Sequence, residues 1–250
     1  MHLIEGEGSI QSMFTRVASR YDLLNNLMSL GAHKRWRQAA VNMLRPRPGD
    51  LVVDVATGTG DMALLLAGRV GPEGGVVGVD FCPEMLAIAR RKASSHPQGH
   101  ICSFIEGNAL GLDLPDDYAD CVTIAFGLRN LTDIARGLGE MVRILKPGGK
   151  LLSLELSVPQ PSWLQSYLMR GIPWLGRRFS SHPPAYEYLA SSIFNHPPPE
   201  EIARLEAQIH VENAKEAADE QARAHEQHAG ERYLCHDERA SDGAPPAARR

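Results

Sequence analysis

The sequence predicts an α/β fold with a doubly wound, mostly parallel sheet, and three observations predict it. Five short apolar runs have the length of buried strands, and they cover residues 51–55, 76–80, 101–106, 120–126 and 150–156. Helix-like stretches follow the first, second and fourth runs, at residues 62–70, 83–93 and 133–145. The first run also ends in a glycine-rich turn that opens a helix. Alternating strands and helices are typical of a parallel sheet with helices on both faces.

The ends of these elements carry local signals. The segment from about His33 to Leu44 has helical apolar spacing, and the prolines of the RPRPGD that follows cannot continue a helix. Pro83 stands in a first helical turn, where its missing N–H is not needed. The stretch LKPGGK ends a helix and turns into the fifth strand.

We expect four segments along the chain. Residues 1–45 form an N-terminal helical cap, and residues 46–157 form a Rossmann-like core. Residues 158–210, rich in proline and aromatic side chains, form a substrate lid that faces a membrane. In residues 211–250 only Val211 and Leu234 are Val, Ile, Leu or Phe, so we expect a polar tail that is a solvated helix or disordered.

Composition excludes several classes of protein. The chain has 250 residues, 43% of them hydrophobic, and a net charge of −4, so there is no basic excess for nucleic acid. No apolar run approaches the roughly 20 residues that span a bilayer, and the N-terminus has no signal-peptide pattern. The four cysteines form no CxxC pair, which predicts neither a disulfide framework nor a metal site. These features indicate a cytoplasmic protein.

The stretch LVVDVATGTGD, residues 51–61, predicts a cofactor pocket. Gly58 and Gly60 let a ligand approach the backbone, and the helix that starts after them directs its first N–H groups toward that ligand. Asp80 ends the second apolar run about twenty residues later, where a carboxylate can hold a ribose hydroxyl pair. The alternative for Asp80 is a plain turn residue before Pro83.

Three features favour S-adenosylmethionine over a dinucleotide. Asp54 precedes the glycines by one turn, where it can meet the cationic end of a methionine moiety but would repel a pyrophosphate. Asn108 and Ala109 follow the third strand, where a polar side chain and free backbone N–H groups can hold an adenine edge. The chain also has no second mononucleotide half and no Tyr followed four positions later by Lys, which argues against a nicotinamide-dependent oxidoreductase. The alternative for Asp54 is a helix cap or a charge at the rim of the sheet.

Longer motifs carry a resemblance to a known family. They are VASRYDLLNNLMSLGAHKRWR, VDVATGTGD, TIAFGLRNLTD, LKPGGKLLSLELSVP and YEYLASSIFNHP. With them the chain resembles the ubiquinone/menaquinone biosynthesis C-methyltransferases, a branch of the class I S-adenosylmethionine-dependent enzymes. The resemblance implies methyl transfer to a ring carbon of a polyprenyl quinol, with Thr59, Asp80, Asn108 and Ala109 contacting the cofactor. Some ubiquinone-pathway members have serine in place of Ala125, which favours demethylmenaquinol here over a methoxy-polyprenyl-benzoquinol.

Carbon methylation of a quinol needs a cation near the forming phenolate and good placement of the reactants. Arg129 and Asn130 follow the fourth strand, where ligands of open α/β sheets bind, and we expect them to be the catalytic pair. Arginine stays protonated in proteins, so Arg129 would stabilise the phenolate or orient a water rather than act as a direct base. The alternatives are a surface ion pair of Arg129 with Asp133, and His33 as the base.

The chain departs from the family after about residue 205, where the closing pair of strands is replaced by a polar sequence. A noncatalytic, cofactor-binding member is therefore an alternative function. Trp163–Phe179 mixes aromatic, apolar and cationic residues, so we expect peripheral contact with the inner face of the membrane, or a cover packed on the sheet. The sequence leaves open whether the protein forms a homodimer.

Overall fold

One parallel sheet organises the protein. In a computed structural model, which describes residues 6–179 and 182–209, five parallel strands lie in the order β3-β2-β1-β4-β5. The strands are β1 Leu51–Val55, β2 Gly75–Asp80, β3 Cys102–Glu106, β4 Ala119–Ala125 and β5 Leu145–Leu154. The predicted doubly wound α/β fold is confirmed. The predicted loss of closing strands concerns a region largely outside the described residues.

Helices precede, connect and follow the strands. They are α1 Glu7–Val17, α2 Tyr21–Ser29, α3 Ala32–Leu44, α4 Asp61–Val70, α5 Pro83–Ser94, α6 Ile134–Arg143, α7 Ser162–Ser166, α8 Ile172–Phe179 and α9 Pro184–Asn195, with π-helical residues Tyr167–Gly171 between α7 and α8. Residues 199–209 are also helical. No helix in these described ranges is both long and apolar enough to cross a membrane.

The fifth strand begins earlier than the sequence predicts. It starts at Leu145 rather than at Lys150, because Leu145 already pairs with Ala119 of β4. The register then shifts, so that Lys150 pairs with Cys121. Residues 146–149 form the resulting irregularity, and Gly148 has a φ of +78° that favours glycine.

The centre of the sheet is fully buried. Every residue from Val52 to Val55 is at most 1% exposed, so β1 is covered on both faces. Side chains of α3, α4 and α5 pack against it in one cluster that includes Val41, Leu66 and Leu86. A fully buried side chain of this size contributes about 1.5–3 kcal/mol of hydrophobic free energy, and this layer therefore fixes the positions of the strand ends.

A second apolar cluster joins the two segments outside the core. Met13 and Val17 of α1 pack with Ile172 of α8 and with Ala185 and Tyr186 of α9. The N-terminal helices and the segment after residue 157 therefore form one layer. The four predicted segment boundaries stay predictions, and the polar tail lies outside the described residues.

The strand order fixes where a ligand can bind. Strand β1 pairs in parallel with β2 on one side and with β4 on the other. The chain thus leaves β1 in one direction along the sheet and later returns to its other side. A crevice opens at the carboxyl ends of the strands at such a reversal.

Candidate active site

A cleft lies at the carboxyl ends of β1, β2 and β4. The wall combines side chains of the N-terminal helices with the loops after the strands, and it includes Glu7, Ile10, Phe14, Tyr21, Gly58, Asp80, Asn108, Ala109, Phe126 and Asn130. Of the predicted cofactor residues, Gly58, Asp80, Asn108 and Ala109 are therefore brought together, whereas Asp54, Thr59 and Gly60 are not on this wall.

The two glycines of the loop have different surroundings. Gly58 has a φ of +56°, and a Cβ added there would meet no atom within 4 Å. Its backbone is therefore open to a ligand in the cleft. Gly60 has a φ of +81°, and an added Cβ would lie 2.9 Å from Cβ of Ala89 in α5 and 3.3 Å from Phe104. The space at Gly58 is therefore open, whereas Gly60 packs the loop against α5.

The Thr59 side chain points away from the cleft. It is 3% exposed, and its hydroxyl donates to Oδ1 of Asp22 at 2.7 Å while it accepts from Nζ of Lys92 at 2.9 Å. Lys92 also forms ion pairs with Asp22 at 2.6 Å and with Asp61 at 2.7 Å. This group of charges connects α2 of the cap to α4 and α5 of the core. A cofactor contact by Thr59 would use its main chain.

Asp54 lies beneath the glycine loop. It is 1% exposed and accepts hydrogen bonds from the hydroxyls of Thr57 at 2.6 Å and Thr123 at 2.7 Å. Burial raises the pKa of Asp54 to about 6, although the two hydroxyls favour its charged form. These contacts hold the loop on the sheet, and the predicted contact of Asp54 with a methionine moiety stays a prediction.

Asp80, unlike Asp54, lines the cleft. Its Oδ2 accepts from the backbone N–H of Gly58 at 2.8 Å, and its Oδ1 accepts from that of Cys82 at 2.9 Å. Burial raises the pKa of Asp80, and these backbone donors oppose that rise. A carboxylate offers about four lone-pair sites, so both oxygens keep capacity for the hydroxyls of a ribose.

Asn108 closes the far end of the cleft together with α1. Its Oδ1 accepts from the backbone N–H of Leu110 at 2.9 Å, and its Nδ2 donates to Oε2 of Glu7 at 3.0 Å. Oε1 of Glu7 also accepts from the hydroxyl of Thr132 at 3.3 Å. Glu7 was not predicted from the sequence, because its position on the cleft depends on how α1 packs over the sheet.

A second cavity adjoins the cleft and shares Phe14, Tyr21 and Asn130 with it. Its other lining residues are mostly apolar or aromatic, and they are Met13, Val17, Asn25, Met28, Arg129, Ala185, Tyr186, Tyr188 and Leu189. The hydroxyl of Tyr188 donates to Oδ1 of Asn130 at 3.1 Å, and burial raises the pKa of this phenol. The second cavity can thus hold an apolar molecule with a polar end at Asn130.

Arg129 lies on the wall of the second cavity with only 7% of its side chain exposed. Its Nη1 donates to Oε1 of Glu155 at 2.5 Å and to the carbonyl of Phe126 at 2.6 Å. The alternative ion pair with Asp133 is not formed, since Asp133 caps α6 by accepting from the backbone N–H of Arg136 at 3.0 Å. A buried arginine beside an apolar cavity can stabilise an oxyanion there.

His33 lies outside both cavities. It is buried, its Nδ1 is 2.6 Å from the hydroxyl of Ser29, and burial lowers its pKa. The same hydroxyl is 2.6 Å from the carbonyl of Asn25. Because one hydroxyl has one proton, the Ser29–Asn25 bond requires His33 to donate from Nδ1. A role of His33 as base stays a prediction.

The chain is similar to known methyltransferases in both sequence and fold. The model of the ubiE/COQ5 methyltransferase family matches residues 3–219. A demethylmenaquinone methyltransferase from Thermus thermophilus is 45% identical over 199 residues, which are 78% of this chain and 89% of the relative. A ubiquinone/menaquinone biosynthesis C-methyltransferase from Geobacter sulfurreducens is 41% identical over 83% of this chain and 82% of the relative. The fold also matches the solved structure of an S-adenosylmethionine-dependent methyltransferase from Thermotoga maritima, which is described as a possible histamine N-methyltransferase. The TM-score is 0.56, with 23% identity over 80% of this chain and 79% of that one.

Proposed function

The chain belongs to the ubiE/COQ5 methyltransferase family, and we propose that it transfers the methyl group of S-adenosylmethionine to a ring carbon of demethylmenaquinol. The observation that carries the proposal is the junction of the two cavities, where Asn130 lines both and Arg129 lines the second. The first cavity has polar groups that suit a nucleoside, among them the carboxylate of Asp80 and the side chain of Asn108. The second has apolar walls and a buried cation.

The residues of the cleft fit the methyl donor, which supplies an electrophilic methyl group on a sulfonium when it is bound. Gly58 leaves room for close approach to the backbone, because nothing lies within 4 Å of an added Cβ. We assign the ribose hydroxyls to Asp80 and the adenine edge to Asn108 and Ala109. These three residues end β2 or follow β3, so the rigid sheet sets their spacing.

The residues of the second cavity fit the acceptor. A quinol oxygen near Arg129 would lose its proton more readily, because a guanidinium lowers the pKa of a neighbouring phenol. Asn130 is already oriented by Tyr188 and by the carbonyl of Phe126, to which its Nδ2 donates at 3.4 Å. It would orient the same ring by hydrogen bonding. Holding the ring carbon in line with the methyl group is worth up to roughly 10 kcal/mol of the barrier.

The choice of naphthoquinol rests on two observations. The Thermus thermophilus relative is named for demethylmenaquinone. Ala125 lines the cleft at the end of β4 and offers no hydroxyl there. The Geobacter sulfurreducens relative is named for both quinone pathways, so the benzoquinol is the competing acceptor.

Transfer of a deuterated methyl group tests the function. The protein is incubated with trideuteromethyl-labelled donor and either demethylmenaquinol or the methoxy-polyprenyl-benzoquinol, and the lipids are analysed by mass spectrometry. We expect label in menaquinol, and about 10²–10³-fold slower transfer in Arg129→Ala. Arg143→Ala is the control, because Arg143 is also ion-paired, to Asp116 and Glu140, but lines neither cavity. Bound donor without transfer to either quinol would refute catalysis and favour the noncatalytic alternative.

We further propose that the protein contacts the membrane surface through α2 and α7–α8. Leu23 and Leu27 lie one turn apart on α2 and Leu30 follows the helix directly, and they are 67%, 44% and 90% exposed. Trp163 and Trp174 are 71% and 57% exposed. The hydroxyl of Tyr167 donates to the carbonyl of Met28 at 3.0 Å, which joins the two segments. Met28 also lines the second cavity, so a polyprenyl tail would leave the site beside these exposed residues.

Sedimentation with liposomes tests the membrane contact. We expect wild-type protein to co-sediment with vesicles that contain phosphatidylglycerol, and a Leu23→Ser, Leu30→Ser double variant to stay largely in solution. Met43→Ser is the matched control, because Met43 is 77% exposed on α3. Equal sedimentation of all three proteins would contradict the assignment of this face. Ultracentrifugation of the same wild-type sample without lipid decides whether it is a homodimer.

A further inference from the structure

Glu155 follows β5 and makes an unusual set of contacts with Arg129. Its side chain is 9% exposed, and its Oε1 accepts from Nη1 of Arg129 at 2.5 Å and from the backbone N–H of Leu156 at 2.8 Å. Its Oε2 accepts from the backbone N–H of Arg129 at 3.1 Å. The carboxylate therefore holds both the main chain and the guanidinium of one residue. Glu155 itself lines neither cavity.

These contacts use one side of the Arg129 guanidinium and leave another unused. Nη1 has two protons, and they go to Glu155 and to the carbonyl of Phe126. The Nε of Arg129 is buried and has no hydrogen-bond partner among the described residues. A buried donor without a partner costs about 1–3 kcal/mol. Nη2 also makes no hydrogen bond to a described residue, and it is the guanidinium nitrogen that can donate to a ligand oxygen in the second cavity.

Glu155 also sets the electrostatics of the second cavity. Without it, the guanidinium would be a buried cation with no counterion, which is strongly unfavourable. With it, the pair is neutral overall, and the stabilisation of a phenolate comes from a directed N–H rather than from net charge. The pKa of the neighbouring Tyr188 phenol is raised by burial, lowered by Arg129 and raised by Glu155, so a phenol in this region feels both charges.

We propose that Glu155 is a positioning residue for the methyl acceptor, because it holds Arg129 with the unpaired side of the guanidinium directed at the quinol oxygen. The inference rests on the proposed function, since that oxygen belongs to the quinol. Glu155 acts through Arg129 and touches neither substrate. A displacement of the guanidinium by about 1 Å is enough to slow a well-placed reaction about 10²-fold.

Kinetics of two Glu155 variants test this role. We expect kcat for methyl transfer to fall about 10-fold in Glu155→Gln, which keeps one acceptor oxygen, and about 10²-fold in Glu155→Ala. The Kd of S-adenosylhomocysteine should stay within about twofold, because the cleft is unchanged. Glu140→Gln is the matched control: Glu140 pairs with Arg143 at 2.8 Å and accepts from the backbone N–H of Leu112, away from both cavities. It should lose stability but keep its kcat.

A second measurement does not depend on turnover. In protein labelled with ¹⁵N-arginine, the Nε–H signal of Arg129 is identified by its loss in Arg129→Lys. We expect this signal to be protected from exchange in the wild type, to shift when menadiol and S-adenosylhomocysteine are added, and to lose protection in Glu155→Gln. This variant replaces one side-chain oxygen by nitrogen and preserves volume, so it remains informative if Glu155→Ala does not fold.

The outcomes separate the two proposals. A wild-type protein that transfers no methyl group, but whose Arg129 signal depends on Glu155 and shifts with menadiol, refutes the proposed function and supports the role of Glu155. Unchanged kcat in both Glu155 variants overturns that role. An Arg129 signal that is the same in the wild type and in Glu155→Gln overturns it as well.

Discussion

Substitution of the two loop glycines by alanine separates ligand approach from packing. In Gly60→Ala, a φ of +81° costs about 1–2 kcal/mol for a residue with a Cβ. The new Cβ would also lie 2.9 Å from Cβ of Ala89, and overpacking of this kind costs about 1–3 kcal/mol more. In Gly58→Ala only the first cost applies, because the space around the added Cβ is open.

Gly60→Ala should therefore lose more stability than Gly58→Ala, whereas Gly58→Ala should lose more ligand affinity. For a chain of this length about 2–4 °C of Tm is lost per kcal/mol. We expect a fall of roughly 5–15 °C in Gly60→Ala and of a few degrees in Gly58→Ala, measured by calorimetry. Calorimetric titration with S-adenosylhomocysteine should show binding more than about tenfold weaker in Gly58→Ala, where the methyl group enters the cleft, and near wild-type binding in folded Gly60→Ala. Equal losses of Tm, with wild-type affinity in Gly58→Ala, would refute the reasoning.

Two further predictions concern ionisable side chains. The pKa of Asp54 is raised from 3.8 to about 6 in the folded protein. Between these pH values the carboxyl group is protonated in the folded state but ionised in the unfolded state. The free energy of unfolding should therefore fall by up to about 3 kcal/mol as pH rises through this window. Urea unfolding at pH 4 to 7 measures this change, which should disappear in Asp54→Asn; the same pH dependence in the variant would contradict the assignment. Lys92→Met removes the ion pairs with Asp22 and Asp61, so hydrogen exchange of the α2 amides should become faster while exchange in β1 and β4 is unchanged. Unchanged exchange in α2 would show that these ion pairs do not hold the cap.

The sequence was sufficient to predict the sheet and the residues on one wall of the cleft, because apolar runs and the loop residues at their ends are local features of the sequence. Asp80 ends β2 and Gly58 lies in the loop after β1, two strands that the apolar runs identify, and the carboxyl ends of parallel strands meet at one edge. The predicted family and methyl donor are confirmed by the family match. The start of β5 was misplaced because a shift in pairing with β4 admits Leu145 to the strand, and such a shift leaves no apolar alternation to detect.

Other contacts depend on how distant parts of the chain pack. Glu155 lies 26 residues beyond Arg129, and the two meet only because β4 and β5 are neighbours in the sheet. The hydroxyl of Thr59 is used by Asp22 and Lys92 rather than by the cleft. Neither pairing could be inferred from spacing along the chain, since the first is set by strand order in the sheet and the second by helix packing over the core.

Binding of the nucleoside at Asp80 is the central claim, and calorimetric titration of S-adenosylhomocysteine into wild-type protein and Asp80→Asn tests it most directly. Asp80 is 6% exposed and lines the cleft. Hydrogen bonds to a charged group contribute about 1.5–3 kcal/mol each, so binding should weaken about 10- to 100-fold in the variant. The backbone N–H of Gly58 can still donate to the side-chain oxygen that Asn retains. Binding of equal strength in the two folded proteins, or none in the wild type, would contradict the account.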